Sequence, residues 1–426
     1  MQGIAFWNRP LAFLDRCRER FGGRFTLRLP ATPPFVMFTD PDEIKEVFTA
    51  PPDVLHPGSG ARVLEPIVGR NSVILLDGEG HLEQRKLMLP AFHGERMDRL
   101  SGLMAEVAER ELDSWPKQEV EMHPLLQDLT LAIILSAVFG LERGPGMDAL
   151  SDRLGMILAF GDRPLSLFAP DRESRIGRVL GRVGPYAEFA RLQAEADEMI
   201  FALIEERRAA GDGEAGNDIL ALLLEARHED GAPMSPEELR DELMTLLVAG
   251  HETTASSLAW LLALISRNPR VLGELRAEIA ADGDDAYLTA TIQEGLRCRP
   301  VLPTAAPRLV AKPIEVGGRR YPEGVCLVPN GYLVHHDPAI YPSPREFRPE
   351  RFVEQPPGTY TWLPFGGGRR RCLGSGFAMT EMKIVLRCLL EARELSPADT
   401  SLEPARRRNI TITPGRGARA KLPAYS

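Results

Sequence analysis

Cysteine is scarce in this chain of 426 residues. There are five, Cys17, Cys298, Cys326, Cys372 and Cys388, an odd number with no C-x-x-C pair among them. That argues against a disulfide framework and leaves no spacing suited to a structural zinc site. Most of these thiols are expected to be small buried hydrophobes. Positive charge is also in short supply, 51 Lys and Arg against 60 Asp and Glu, a net charge of −9. General nucleic-acid binding wants a clustered basic face, so nucleic acid is not an expected partner. The exceptions are two tight clusters, Arg369–Arg371 and Arg406–Arg408. Near the middle the longest apolar run, Leu258–Ile265, falls far short of the roughly 20 residues that span a bilayer. The opening "MQGIAFWNRP" has no basic region followed by an apolar stretch and a cleavage site. The expectation is a cytoplasmic protein without a transmembrane anchor. Repeats, low-complexity stretches and linkers are missing too, which favours a single domain over 1–426.

What is present is a composition able to bury a sizeable core, 44% apolar and 26% charged. "RFTLRL" (24–29) alternates apolar and polar residues and "FVMF" (35–38) follows a Pro-Pro turn, the pattern of a hairpin. "DPDEIKEVF" (40–48) then opens a helix, with Asp before Pro. Helical patterns dominate from about 81 to 300, whereas "PIEVGG" (313–318) and "VCLVP" (325–329) read as short strands. The fold class is therefore mainly α with smaller β-sheets. A β-rich subregion is expected from about 23–40 and 301–330 plus the C-terminal segment. Glycine and proline break the stretch 155–190, as in a connector or a lid over an apolar pocket.

"SPEELRDELMTLLVAGHETTASSLAWLLALISRNP" (235–269) is the strongest single element. Ser235 and Glu238 form a capping box, Pro236 takes the first helical position, and Asn268-Pro269 stops the helix. Apolar on nearly every face, it must run through the core. Its middle holds "AGHETT" (249–254), a glycine followed by four polar residues. One reading is a bend where Thr253 or Thr254 bonds back to preceding carbonyls. The other is an opening against a bound group, with an acid and an alcohol side by side to relay protons.

"FGGGRRRCLG" (365–374) places Cys372 behind three glycines and three arginines. Glycine lets backbone N–H groups approach a thiolate or a flat ligand closely, and arginine forks suit carboxylates. One cysteine ligand with an arginine for a propionate fits haem better than an all-protein metal cage.

The chain resembles the cytochrome P450 superfamily over nearly its whole length. Phe365, Gly368, Arg370, Cys372 and Gly374 meet the family's haem-loop pattern, F-x-x-G-x-R-x-C-x-G. "EGLR" (294–297) resembles its E-x-x-R, and "PERF" (349–352) adds the arginine of an ion-pair triad of Glu294, Arg297 and Arg351. The resemblance implies a long central helix over haem b, with Cys372 as the axial thiolate ligand of iron. Phe365, Gly366 and Gly374 would surround that ligand. His81, Arg85, Arg308 and Arg370 would face propionates, and Ala249 and Gly250 would border the haem's distal face. Glu252 and Thr253 would be the acid and alcohol of oxygen activation, with His251 pointing away from the iron.

The implied reaction is monooxygenation, one atom of O2 entering a hydrophobic substrate of fatty-acid, terpenoid or steroid type. NAD(P)H electrons would arrive through a separate ferredoxin or flavodoxin with its reductase, the protein itself acting as a monomer. A peroxide-driven hydroxylase of the same fold, or a haem-binding sensor without turnover, would not need the Glu252–Thr253 pair. Candidate pocket residues are Val63, Ile67, Met244, Leu247, Val248, Leu302, Thr304, Ala305 and Ile410.

Overall fold

The computed structural model describes residues 5–424 apart from 7, 30–31, 93, 142–143, 162–183 and 211–217. Most of the expected lid stretch 155–190 therefore lies outside the described residues. Eight helices position the site: α1 (Pro41–Thr49), α2 (Gly78–Met88), α3 (Glu95–Ser114), α4 (Met122–Phe139), α5 (Gly184–Ala210), α6 (Pro236–Ile265), α7 (Ala286–Cys298) and α8 (Ser375–Ala392). Each start has a local cause where the sequence supplied one. The Asp40 side chain accepts from the N–H groups of Asp42 and Glu43, with Pro41 beginning α1. At α6 the capping box between Ser235 and Glu238 is complete, with Pro236 first.

Helix α6 runs 30 residues without interruption, about 45 Å at 1.5 Å per residue. It packs most extensively on α4, and α7 and α8 pack on it further along. Helix α4 is long and apolar enough to cross a membrane by length and composition, yet 78% of its apolar window is buried. That apolar surface is spent on the main core, in which Ile133, Leu135, Val138, Leu258 and Leu261 are wholly enclosed. Interruption by His123, Gln127 and Asp128 hides this longer apolar segment in the sequence.

The N-terminal half of α6 ties down the segment that leads into α2. Asp241 accepts from the Asn71 backbone N–H at 2.9 Å, and Glu242 from that of Val73 at 2.7 Å. Arg240 reaches across to Asp197 on α5 at 2.7 Å. Burial pushes the Glu242 carboxyl up to about 8, against the pull of its hydrogen bonds to Val73 and Gln84.

The principal sheet has five strands: β1 (Arg24–Leu27), β2 (Phe35–Phe38), β3 (Leu55–His56), β4 (Arg308–Val310) and β5 (Cys326–Pro329), in the order β1-β2-β5-β4-β3. Strand β2 pairs in parallel with β5, Phe35 opposite Cys326, and the other pairings are antiparallel. The C-terminal segment does not join this sheet. Strands β6 (Ala405–Arg408) and β7 (Thr411–Pro414) form their own hairpin, turning at Asn409 with φ of 52°. Asn tolerates that left-handed conformation through local hydrogen bonding. The last strand, Arg419–Lys421, pairs with Glu119–Glu121 and Ser396–Pro397 instead. Local pattern does not reveal the pairing of 419–421 with the distant strand 119–121.

Candidate active site

The cysteine loop is shaped by its glycines, for reasons only the fold supplies. Gly366 and Gly368 sit at φ of 66° and 65°, where a side chain is strained. A Cβ on Gly367 would run into the Phe48 ring of α1, and one on Gly368 into the Phe48 carbonyl. The loop closes on itself as the Cys372 N–H donates to the Phe365 carbonyl at 3.0 Å. Phe365 stands edge-on to Trp362, ring centres 5.8 Å apart. Cys372 opens onto a cleft of about 450 Å³ whose walls include Arg85, Phe92, Met97 and Arg371. Protein packed around the thiol pushes its pKa up. The Gly374 N–H and the charges of Arg85 and Arg371 act in the opposite sense.

Beside the loop lies a concentration of cations. Arg370 donates to the carbonyls of Val73, at 3.1 Å, and Leu76, and pairs with Asp77 at 2.9 Å. Asp77 also accepts from the N–H groups of Gly58 and Ser59 at 2.7 and 2.8 Å, which holds the 57–60 turn beside the arginine. Arg308, 4% exposed, donates to the Ala306 carbonyl at 3.0 Å and lies 4.6 Å from the Phe48 ring centre. Arg85 donates to the Arg371 carbonyl at 2.9 Å. Among the described residues neither Arg308 nor Arg85 has a carboxylate partner. His81, Arg308 and Arg370 share the wall of a concavity of about 40 Å³ with Phe48 and Pro57.

The electrostatics of this cluster are unbalanced. Burial lowers His81 to about 4, and Arg370 and Arg85 add to the effect. Burial brings Arg308 down to about 9, with Arg370 reinforcing it. Arg370 itself falls to about 10, again through burial first, with Asp77 only partly opposing. Several cations crowd around a single carboxylate, so the site favours an anionic ligand. With a thiol among N–H donors next to it, the donor set suits a metal-bearing group that carries carboxylates. The residues present fit haem.

On helix α6, Ala249 is exposed and Thr253, one turn on, is half-buried. The Thr253 hydroxyl donates to the Ala249 carbonyl at 2.7 Å, while the helix itself stays regular through this point. The back-bond of the first reading is present, and the helix runs unbroken through it. Gly250 is half-buried next to Ala249. A Cβ there would meet the Ile134 side chain of α4 at 3.1 Å, so the glycine serves helix packing. His251 is buried against Thr130 of α4, Nδ1 to Oγ1 3.1 Å, and burial draws its pKa down to about 4.

Glu252 turns toward α4 and β6. Its carboxylate meets Gln127 Nε2 at 2.6 Å, Ser256 Oγ at 3.0 Å, His123 Nε2 at 3.4 Å and Arg408 Nη1 at 3.5 Å. Burial pushes the carboxyl up. The His123 hydrogen bond and the charges of Arg408, His123 and His251 outweigh it and leave the pKa below the usual range.

Glu294, Arg297 and Arg351 come together in one wholly enclosed network. Arg297 meets Glu294 at 2.7 and 2.9 Å and Arg351 meets it at 3.0 Å. Arg297 donates further to the carbonyls of His335, Pro344 and Glu346.

The candidate pocket residues separate into groups. Met244 and Leu247 are enclosed in the main core, 0% and 1% exposed, and offer no surface to a ligand, contrary to expectation. Both sit on the stretch of α6 that faces neighbouring helices, which helical spacing alone could not tell from the open face. Val63 and Ile410 are exposed, the latter at the tip of the β6–β7 hairpin. Ile67, Val248, Leu302, Thr304 and Ala305 are half-buried. Phe48, Asp77, His123 and Gln127 escaped the sequence reading, and Arg408 stood out there only as part of a basic cluster. The only signal was the pair of polar residues His123 and Gln127 at helical spacing in an otherwise apolar segment.

A fold of this kind, with a thiol loop, a cationic concavity and a long buried central helix, is the frame of a haem-thiolate protein. The family model for Cytochrome P450 matches residues 1–419. A Mycobacterium tuberculosis protein named cytochrome P450 135B1 is 38% identical over 100% of this chain and 89% of its own length. One named cytochrome P450 137, from the same species, is 36% identical over 96% and 84%. Among solved structures, retinoic acid-bound cyanobacterial CYP120A1 matches with a TM-score of 0.85 at 23% identity, covering 100% of this chain and 96% of that one. The haem domain of cytochrome P450DA gives 0.84, also at 23% identity, covering 100% and 95%. The chain belongs to the cytochrome P450 family and is a haem-thiolate monooxygenase, an oxidoreductase.

Proposed function

We propose that this enzyme inserts one oxygen atom of O2 into a small hydrophobic substrate of fatty-acid, terpenoid or steroid type. It would do so in the cytoplasm as a monomer, with NAD(P)H electrons delivered by a separate ferredoxin or flavodoxin and its reductase. The reading rests on one conjunction. A cysteine loop fit for haem lies in the same core as a buried helix whose open face carries Ala249 and Thr253, with an acid directly behind.

Cys372 would hold the iron, with Arg85, Arg308, Arg370 and His81 taking the propionates. Haem bound there would supply dioxygen activation, which a thiolate ligand favours. The protein residues have the remaining tasks. The Gly374 N–H and the Arg85 and Arg371 charges favour the thiolate form of Cys372. Thr253 holds its hydroxyl proton on the Ala249 carbonyl, which leaves its oxygen free to act as an acceptor. Glu252, ionised, stores the negative charge that draws protons inward. Exposed Val63 and Ile410 and half-buried Val248 supply apolar surface suited to a hydrocarbon substrate.

The test uses 18O2 with a panel of fatty acids, terpenoids and steroids first screened by haem spin-state shift. One 18O per product molecule is expected. Thr253→Ala is expected to keep consuming O2 while releasing mostly hydrogen peroxide. Product formed only with added peroxide, or no turnover with any electron donor, would overturn the reading in favour of a peroxide-driven enzyme or a sensor.

A further inference from the structure

Glu252 is held by more donors than a relay acid needs for stability. Gln127 and His123 reach it from α4, Ser256 from its own helix and Arg408 from β6, while His251 lies close by on α6. These are the titratable, charged and polar groups facing it among the described residues. The hydrogen bonds have a definite direction. The single hydroxyl proton of Ser256 goes to Glu252 Oε1, so at Ser256 Oγ the His123 Nε2, 3.1 Å away, must donate. A protonated Nε2 at that point also aims at the carboxylate 3.4 Å away. His123 is itself fixed, since its backbone N–H donates to the Gly417 carbonyl at 3.0 Å and its side chain is buried at the start of α4. Arg408, a quarter exposed at 26%, completes the ring on the outer side.

We propose that His123 is a positioning residue for the reaction: with Ser256 and Arg408 it fixes the Glu252 carboxylate on the α4 side of the central helix and sets how readily that carboxylate takes up a proton. This rests on the reading of Glu252 as the proton-handling acid. Among the described residues no hydrogen bond or ion pair joins His123 to Thr253 or to the cysteine loop, so its effect reaches the site through Glu252 and Ser256. Removing the imidazole leaves burial to act on the carboxyl with less opposition, and the acid should become weaker.

The experiment compares holoenzyme of the parent, His123→Phe, His123→Gln and Ser256→Ala, with Glu252→Gln to assign the signal. Isotope-edited infrared spectroscopy of labelled glutamate follows protonation of Glu252 against pH, and the ratio of product to hydrogen peroxide follows coupling. His123→Phe is expected to raise the proton affinity of Glu252 about tenfold or more, one pH unit. His123→Gln, which keeps an N–H donor, should restore most of the parent behaviour, and Ser256→Ala should give a smaller shift in the same direction. If His123→Phe does not assemble, judged by its reduced carbon monoxide spectrum, the Gln and Ser256→Ala variants carry the same comparison. An unchanged Glu252 titration in whichever variants assemble overturns the proposal. A shifted titration with unchanged coupling supports the placement of His123 and instead removes Glu252 from the proton relay.

Discussion

Two clusters of arginine and acid in this molecule look alike in sequence and are opposites in structure. In the Glu294–Arg297–Arg351 network the side chains are almost wholly enclosed, and the guanidinium donors are met largely by Glu294 and by the carbonyls of His335, Pro344 and Glu346. In the His81–Arg85–Arg308–Arg370 cluster the same kinds of side chain crowd one another, Asp77 is the one carboxylate paired with them among the described residues, and their proton affinities fall. A buried network balanced in donors and acceptors holds a fold together. An unbalanced one waits for an anion, which makes the local balance of donors and acceptors a better guide to function here than the motif carrying the arginine.

The largest expected effect lies in the balanced network. Arg297→Ala leaves Glu294 buried and half-paired, a loss of about 3–5 kcal/mol. The expected outcome is a chain that fails to fold, seen as a lost cooperative transition in denaturant. A variant that folds with near-parent stability would erase the distinction between the clusters. The reverse is expected in the unbalanced one. Arg308→Leu should leave apoprotein stability unchanged or improved while weakening haem retention about 10- to 100-fold, the worth of one charge-assisted hydrogen bond. Competitive haem transfer to apomyoglobin measures it.

A third test concerns the tie between α6 and the segment before α2. Glu242 carries its proton in the folded state up to about pH 8, whereas an unfolded glutamate loses it near pH 4.3. Between these values the folded state binds more protons, so stability falls as pH rises, by about 1.4 kcal/mol per unit of displacement. Glu242→Gln should therefore melt higher than the parent at pH 8, with the difference closing toward pH 5. A fourth test concerns His81, with its folded value of about 4 below the unfolded one near 6.5. The unfolded chain takes up that proton first, so apoprotein stability is lost as pH falls from about 6.5 toward 4. Propionates beside the imidazole should raise the folded value, and NMR titration of His81 with and without haem reads the shift.

Much of this was legible in the sequence because it is local. The capping box of α6, the cysteine decapeptide and the spacing of Glu294 and Arg297 each lie within a few residues, and the structure brings them together as elements. What was hidden depends on distant contacts. Gly367 and Gly368 are dictated by Phe48, more than three hundred residues away in sequence, and Gly250 by Ile134. The partners of Glu252 come from α4 and from β6, and no periodicity within "AGHETT" announces them. Met244 and Leu247 share the apolar character of pocket residues but face the core, because orientation around a buried helix is set by its neighbours.

The central claim is that Cys372 is the thiolate ligand of a bound haem. The carbon monoxide difference spectrum of the reduced holoenzyme, recorded beside Cys372→Ser, tests it most directly. The predicted result is the red-shifted Soret band of a thiolate-ligated carbonyl complex in the parent and its loss in the variant. A parent protein that binds no haem, or a variant that keeps the same band, would contradict the assignment.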